Sequence, residues 1–363
     1  MPKLDETLMT LKCDQQNGRY VVASKDIDAG TLILNARPYG IAVTHVCRKE
    51  CCSACFNAYT INPPLHFSCS TCSSVWYCSQ ACMDTASVFH KEFECARLSE
   101  ISALPSGKGF RKLLIEADAQ ISRTSSLMQD GYERSDIIEM ARWLLSFCIR
   151  VEMEKDVDLA GLEGFPTYSD FKELVPNVDS VSSEEISQLH GLHYLFSRLK
   201  PPVGQTKLSK PSFSALFISA LPHPEDLIRV ICIKQCNGFG LWDQEGECMG
   251  YAIYPSASFF NHSCDKNLER VIGMKVVGQE AFAATAAKET VGIAELEGPR
   301  ESCIRRALEL QVPVVLHANR AIQKGQLITH SYVDQSWDRE KRRQYLKDVY
   351  YFDCVCERCE AEK

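Results

Sequence analysis

The sequence predicts an α+β fold in which small sheets flank a helical middle. Three observations predict it: short β-rich runs towards both ends, helical periodicity from about 98 to 236, and a cysteine-dense stretch set into the first β region. Residues 17–36 read as two β-rich runs with Ile27-Asp28-Ala29-Gly30 as the turn between them, the pattern of a hairpin or a similar pair. Residues 47–95 then carry nine of the 19 cysteines, with little helical periodicity before Ser79. The segment starting at Ser135-Asp136 opens with capping residues and places Ile138, Ala141, Leu144 and Leu145 on one face. Residues 184–199 and 212–236 read similarly, the latter broken at Leu221-Pro222-His223-Pro224, and these helices are expected to pack as a connecting subdomain. After Asn237 short β runs return at 252–254, 268–277 and 312–318, with 278–311 a polar, partly helical insertion.

With 363 residues, 45% of them hydrophobic, the chain is long enough for a sizeable core. A formal net charge of -7 argues against a surface built to hold phosphates, and suits a basic peptide partner. The start lacks a basic stretch followed by an apolar run, and no apolar stretch approaches the ~20 residues that span a bilayer. The protein is therefore expected to be soluble and intracellular, in nucleus and/or cytoplasm, since Lys341-Arg342-Arg343 is too short to mark nuclear import. In such a setting cysteines stay reduced, and metal binding explains their number better than disulfides.

Cys52-x2-Cys55, Cys69-x2-Cys72, Cys78-x3-Cys82 and His90-x4-Cys95 are four close pairs of soft ligands, the content of two tetrahedral zinc sites. So small a segment needs the metal to fold. With Val75-Trp76-Tyr77-Cys78-Ser79-Gln80-Ala81-Cys82 it resembles the MYND finger, a protein-interaction module. That resemblance implies that Cys52, Cys55, Cys78 and Cys82 hold one zinc, and Cys69, Cys72, His90 and Cys95 the other. The family has three residues between the last His and Cys, whereas this chain has four. Cys47 and Cys51 lie close enough to compete for the first pair, although Cys52-x2-Cys55-Phe56 fits the family better.

At the C-terminal end Cys354-x-Cys356-x2-Cys359 supplies three thiolates, and a closed zinc site needs a fourth ligand, for which Cys264 is the candidate. Asn261-His262-Ser263-Cys264, then Ser331-Tyr332-Val333-Asp334, then an aromatic run into that triplet, form the ordered signature of a SET domain with its post-SET segment. The whole chain is similar to the SET and MYND lysine methyltransferases. Gly238-Phe239-Gly240-Leu241-Trp242 and Ala257-Ser258-Phe259-Phe260 lean towards fungal-type members, which lack the C-terminal helical repeat domain.

The resemblance implies a SET-type fold with a knot-like C-terminal crossing. Its modules would be an N-terminal SET part at 1–48, the finger at 49–97, a helical connecting region at 98–236, the core SET domain at 237–348 and a post-SET zinc segment at 349–363. It implies S-adenosyl-L-methionine and three zinc ions as cofactors, and transfer of a methyl group to a lysine of a histone or non-histone protein. By the same resemblance Tyr332 is catalytic, Asn261 and His262 bind the cofactor, Phe352 covers the adenine and Tyr350 walls the lysine channel. The family's Gly-x-Gly stands here as Gly18-Arg19-Tyr20, where Arg19 can meet the cofactor's carboxylate and Tyr20 replaces the second glycine. A lysine in a narrow aromatic channel is pushed towards its neutral form, so positioning carries the reaction and no carboxylate or histidine base is required.

A competing reading is a non-catalytic scaffold that binds proline-rich peptides through the finger. A nucleic-acid-binding zinc protein is a third, but no basic recognition helix follows the cluster. No membrane partner and no specific nucleic acid are expected, and the chain is expected to be a monomer.

Overall fold

The computed structural model describes residues 4–15, 18–60, 65–121, 126–157, 165–200, 211–243, 245–273, 276–278 and 300–362. Among them no helix is long and apolar enough to cross a membrane.

The N-terminal strands are β1 (Met9–Asp14), β2 (Gly18–Ala23), β3 (Leu32–Ala36) and β4 (Gly40–Val43). The turn expected at 27–30 is present, but it does not close a hairpin between β2 and β3. β2 pairs with β1, while β3 pairs with a strand near residue 316. The physical reason lies in the turn itself: Ile27 and Ile322 exchange backbone hydrogen bonds at 2.8 and 2.9 Å, and Gly30, at φ +83°, donates to Ala318 O at 2.7 Å. The link is thus stitched to a late segment, and β3 leaves in another sheet.

The finger contributes β5 (Ala58–Thr60), β6 (Phe67–Ser68), β7 (Trp76–Tyr77) and α1 (Gln80–Phe89), which Ser79 caps by accepting from Cys82 N–H. A π-helical turn, His90–Glu94, leads into α2 (Cys95–Ser102), so one continuous helical run crosses the expected module boundary at 97. The helical middle follows as α3 (Gly107–Asp118), α4 (Arg134–Met153), α5 (Tyr168–Lys172), α6 (Ser183–Ser197), α7 (Phe213–Ala220) and α8 (Pro224–Asn237). α4 starts with a capping box between Glu133 and Asp136. It is buried on nearly every side, with Trp143, Leu144, Phe147 and Cys148 at 2% exposure or less, because it packs against α2, α7 and β4 at once. Its Arg142 donates to Ser74 O at 3.2 Å and Val43 O at 3.4 Å, tying the finger and β4 to the same helix.

α8 runs directly into β8 (Gly238–Trp242), followed by β9 (Cys248–Ile253), β10 (Asn261–His262), β11 (Leu268–Ile272) and β12 (Val276–Gly278). Then come α9 (Arg300–Leu310), β13 (Val314–Ala318), β14 (Thr329–His330), α10 (Arg339–Tyr350) and α11 (Glu357–Ala361). The larger sheets are antiparallel, ordered β11-β13-β3 and β4-β9-β8, whereas β10 and β14 form a short parallel pair. Of the expected insertion at 278–311, residues 279–299 lie outside the described residues. Its last part is α9, which packs against α1 of the finger and is held by Arg37 donating to Glu309 O and Gln311 O at 2.6 and 2.7 Å.

Candidate active site and its metal centres

The three donor groups expected from spacing are assembled. Cys52, Cys55, Cys78 and Cys82 form one, Cys69, Cys72, His90 and Cys95 a second, and Cys264, Cys354, Cys356 and Cys359 a third, the donor atoms of each within 4.8 Å of one another. Four sulfurs at ~2.3 Å from a tetrahedral zinc stand about 3.8 Å apart. The structure has Cys55–Cys78 at 3.8 Å, Cys78–Cys82 at 3.5 Å, Cys69–Cys95 at 3.6 Å and Cys264–Cys359 at 3.6 Å, so all three groups fit the ion. Cys51 and Cys47 stand outside: Cys51 donates to Phe56 O and Cys47 to Cys248 O.

The extra residue between His90 and Cys95 is absorbed by the π-helical turn. There Cys95 N–H bonds to His90 O, five residues back, so the added residue widens the helix without rotating either ligand away. His90 Nε2 lies 3.5 Å from Cys72 Sγ, and its Nδ1–H donates to Glu94 at 3.0 Å, the outer partner that fixes a ligating imidazole.

The third centre is joined to the Tyr332 segment through one ring. His262 Nδ1 accepts from Tyr332 N–H at 3.0 Å, which leaves Nε2–H to donate to Cys264 Sγ at 3.3 Å. Cys354, His262 and Arg342 hold the Cys264 thiol low, in the thiolate form that a metal takes. Arg342 is fully buried, and donates to Cys264 Sγ at 3.4 Å, Trp337 O at 2.7 Å and Glu362 at 2.5 Å. The parallel pairing of β10 with β14 sets Asn261 beside Thr329 and His262 beside His330, bringing both motifs to one seam.

Tyr332 stands at that seam. Its hydroxyl donates to Phe260 O at 2.9 Å, and its ring lies 4.8 Å from Tyr350 and 5.3 Å from His262. Burial, then Tyr350, push its pKa up, so it is a neutral phenol. Tyr351, at φ 61°, ends α10 and turns the chain so that Tyr350 meets Tyr332 while the half-buried Phe352 reaches His262 at 6.0 Å. On the other face of Tyr332 is a cavity of ≈ 30 Å³ lined by Phe239, Ser258, Arg270, His330 and Tyr350, with the α8–β8 junction at Cys236-Asn237-Gly238.

Arg19 reaches this region from β2, its guanidinium 4.7 Å over the Phe259 ring and 3.6 Å from Glu173. Tyr20 keeps an ordinary strand backbone: positive φ falls on Gly18, at +61°, and Tyr20 is not among the positive-φ residues. Its hydroxyl is turned to Asp14 on β1, whose hydrogen bond raises its pKa.

Two residues of the cavity escape a sequence reading. Arg270 holds an inward position of β11, in the alternation Leu268, Arg270, Ile272, and that charged residue in an apolar face was the available signal. His330 is 2% exposed, donates from Nδ1 to Ser331 O at 3.2 Å, and has no partner at Nε2 among the described residues. Burial first, then Arg270, lower its pKa to about 3, so the imidazole is neutral.

Comparisons with known proteins agree with this arrangement. The MYND finger family model matches residues 52–95. A SET and MYND domain-containing protein of Dictyostelium discoideum is 25% identical over 97% of this chain and 80% of its own length. The potential protein lysine methyltransferase SET6 of Saccharomyces cerevisiae is 23% identical over 95% of this chain and 93% of its own. The histone-lysine N-methyltransferase Smyd1 of Mus musculus is 26% identical over 94% of this chain, which spans 54% of that relative. In its matched finger and over nearly its whole length, the chain is thus similar to proteins of SET and MYND architecture.

Proposed function

We propose that the protein transfers a methyl group from S-adenosyl-L-methionine to a lysine side chain of a histone or non-histone protein. The observation that carries this is the position of Tyr332, anchored on one side through His262 to a zinc thiolate and facing an aromatic-walled cavity on the other. The residues present fit the cofactor: Arg19 is a half-buried cation beside β10, Asn261 is a half-buried amide on it, and Phe352 offers an aromatic face. When bound, the cofactor supplies an electrophilic sulfonium methyl group. Arg19 would take its carboxylate, Asn261 its ammonium end, the His262 backbone and the Phe352 ring its adenine.

On the other side Phe239, Tyr332 and Tyr350 would strip water from the lysine and align its nitrogen, which is the main contribution the protein makes to an in-line displacement. A low-dielectric aromatic wall favours the neutral amine. The Tyr332 hydrogen is committed to Phe260 O, so its oxygen lone pairs remain free to orient the amine or the polarised methyl group. The proline-rich peptides expected at the finger belong to the same proposal. Support for them is the half-buried Trp76 ring, overlaid by Arg48 at 5.3 Å and Lys49 at 5.8 Å, an aromatic surface of the kind such peptides use.

Calorimetric titration of the zinc-loaded chain with S-adenosylmethionine tests the reading. Saturable binding, weakened at least tenfold in Asn261→Ala and unchanged in Tyr332→Phe, is expected, with methyl transfer falling on the order of 10²-fold in Tyr332→Phe. Absence of binding by the wild type would falsify it.

A further inference from the structure

The acceptor cavity contains one fixed charge, and its sign opposes a lysine ammonium. The Arg270 guanidinium lies 5.4 Å from the centre of the Phe239 ring. Among the described residues it has no hydrogen bond and no ion pair. The groups around it are uncharged: Phe239, the neutral His330, Tyr350, whose pKa burial raises to about 12, and Tyr254, which donates to Val312 O at 2.9 Å. Glu269, the acidic neighbour on the same strand, is paired with Lys266 at 2.6 Å. Burial lowers its pKa, and the group it rests on is the Phe239 ring face.

Space makes a second, independent constraint. At ≈ 30 Å³ the cavity holds one or two waters, far less than the four methylenes and nitrogen of a lysine. With Arg270 in place little room is left beside Tyr332. Arg270 sits on β11, an outer strand of its sheet.

We propose that Arg270 is a latch on the acceptor cavity that a substrate carboxylate opens. The substrate class is a protein in which the target lysine has an aspartate or glutamate within one or two residues. That carboxylate takes the displaced guanidinium in a charged, hydrogen-bonded pair at the rim, while the lysine takes the vacated space against Phe239 and Tyr350. Arg270 thereby acts as a specificity-determining residue, and the inference rests on the methyltransferase reading above.

The test uses the zinc-loaded chain, S-adenosylmethionine and a positional set of peptides with one central lysine, in which each flanking position carries Glu, Gln or Lys. For the wild type, kcat/KM is expected to favour a Glu-flanked peptide over its Gln counterpart by about tenfold, the worth of one charged hydrogen-bonded pair. In Arg270→Gln the ratio should fall to about one, and in Arg270→Glu the Lys-flanked peptide should become the best. Cofactor affinity should stay unchanged in both variants, since Arg270 lies on the acceptor side. A purely structural arginine would lower all peptides together and leave their ratios alone. The latch is overturned if the wild type has no acidic preference, if Arg270→Glu retains one, or if the cofactor binds and no acidic-flanked peptide is methylated. Failure of the wild type to bind the cofactor overturns the methyltransferase reading instead.

Discussion

The finger and the acceptor cavity are built on opposite plans. Between residues 52 and 95 eight donors come as four pairs, each pair spanning less than two helical turns of chain. The cavity takes Phe239 from β8, Ser258 from the turn before β10, Arg270 from β11, His330 from β14 and Tyr350 from the end of α10. A zinc site is therefore specified locally and held by coordination. A substrate cavity is specified only by the completed fold and held by packing. The first is expected to fail when one atom is removed, the second to change what it accepts.

The largest expected effect comes from removing the metal. Structural zinc contributes roughly 10–16 kcal/mol to small modules at neutral pH, more than a finger with so little apolar content can lose. Treatment with a strong chelator should release three equivalents of zinc and unfold the finger, followed by far-UV circular dichroism. α2 begins at the ligand Cys95 and packs against α4, so part of the helical signal should go with it. A chain that gives up all three ions and keeps its melting transition would show that packing, and not coordination, holds this region.

Next in size is the joint between the two regions. Arg142 is 6% exposed; its bond to Ser74 O ties the finger to α4, and its bond to Val43 O ties β4 to the same helix. Arg142→Ala leaves two buried carbonyls unpaired and should cost about 3 kcal/mol. Arg320→Ala, which removes an exposed pair with Asp265, should cost under about 1 kcal/mol. Thermal melts of the two variants separate the cases. Equal shifts would mean that the finger docks without this arginine.

These contrasts explain how much was legible beforehand. The ligand pairs at 52–95 and the cysteines at 354–359 stand in short spacings, so the donor clusters could be read from the chain. The helix beginning near Ser135 was legible because its apolar period is strong, although its cap is Glu133. The pairing of β3 was not: a turn at Ile27–Gly30 has the same local signature whether the next strand folds back or departs, and only the contact with Ile322 decides. Nor could four residues between His90 and Cys95 disclose a π-helical turn, because that turn is selected by two ligands that must face one ion. Arg270 and His330 escaped notice because each is ordinary in its own segment, and they acquire meaning only as neighbours.

A further effect should appear in acid. His330 has its folded pKa lowered to about 3 from an ordinary 6.5, so the unfolded chain binds a proton that the folded chain refuses between those values. Its neutral form stabilises the fold above about pH 6.5, and that contribution is lost as pH falls towards 3, at up to about 1.4 kcal/mol per pH unit. His330→Ile should flatten the stability curve over this window, measured by denaturant melts at stepped pH. An unchanged slope would mean that the imidazole is hydrated in the folded chain.

The smallest effect is expected at Tyr20, where the sequence departs from the Gly-x-Gly pattern. A glycine is needed where the backbone takes positive φ or where a ligand comes within reach of Cβ. The first condition is met at Gly18 and not at Tyr20, whose side chain is engaged with Asp14 across the β1–β2 pair. Tyr20→Gly should therefore alter the Kd for S-adenosylmethionine by less than about twofold, as for an exposed substitution away from the site. A tightening of tenfold or more would show that the cofactor approaches β2 more closely than the Tyr20 side chain permits. Cofactor binding would then depend on a displacement of this hairpin, and the cofactor side, like the acceptor side, would open only when its ligand arrives.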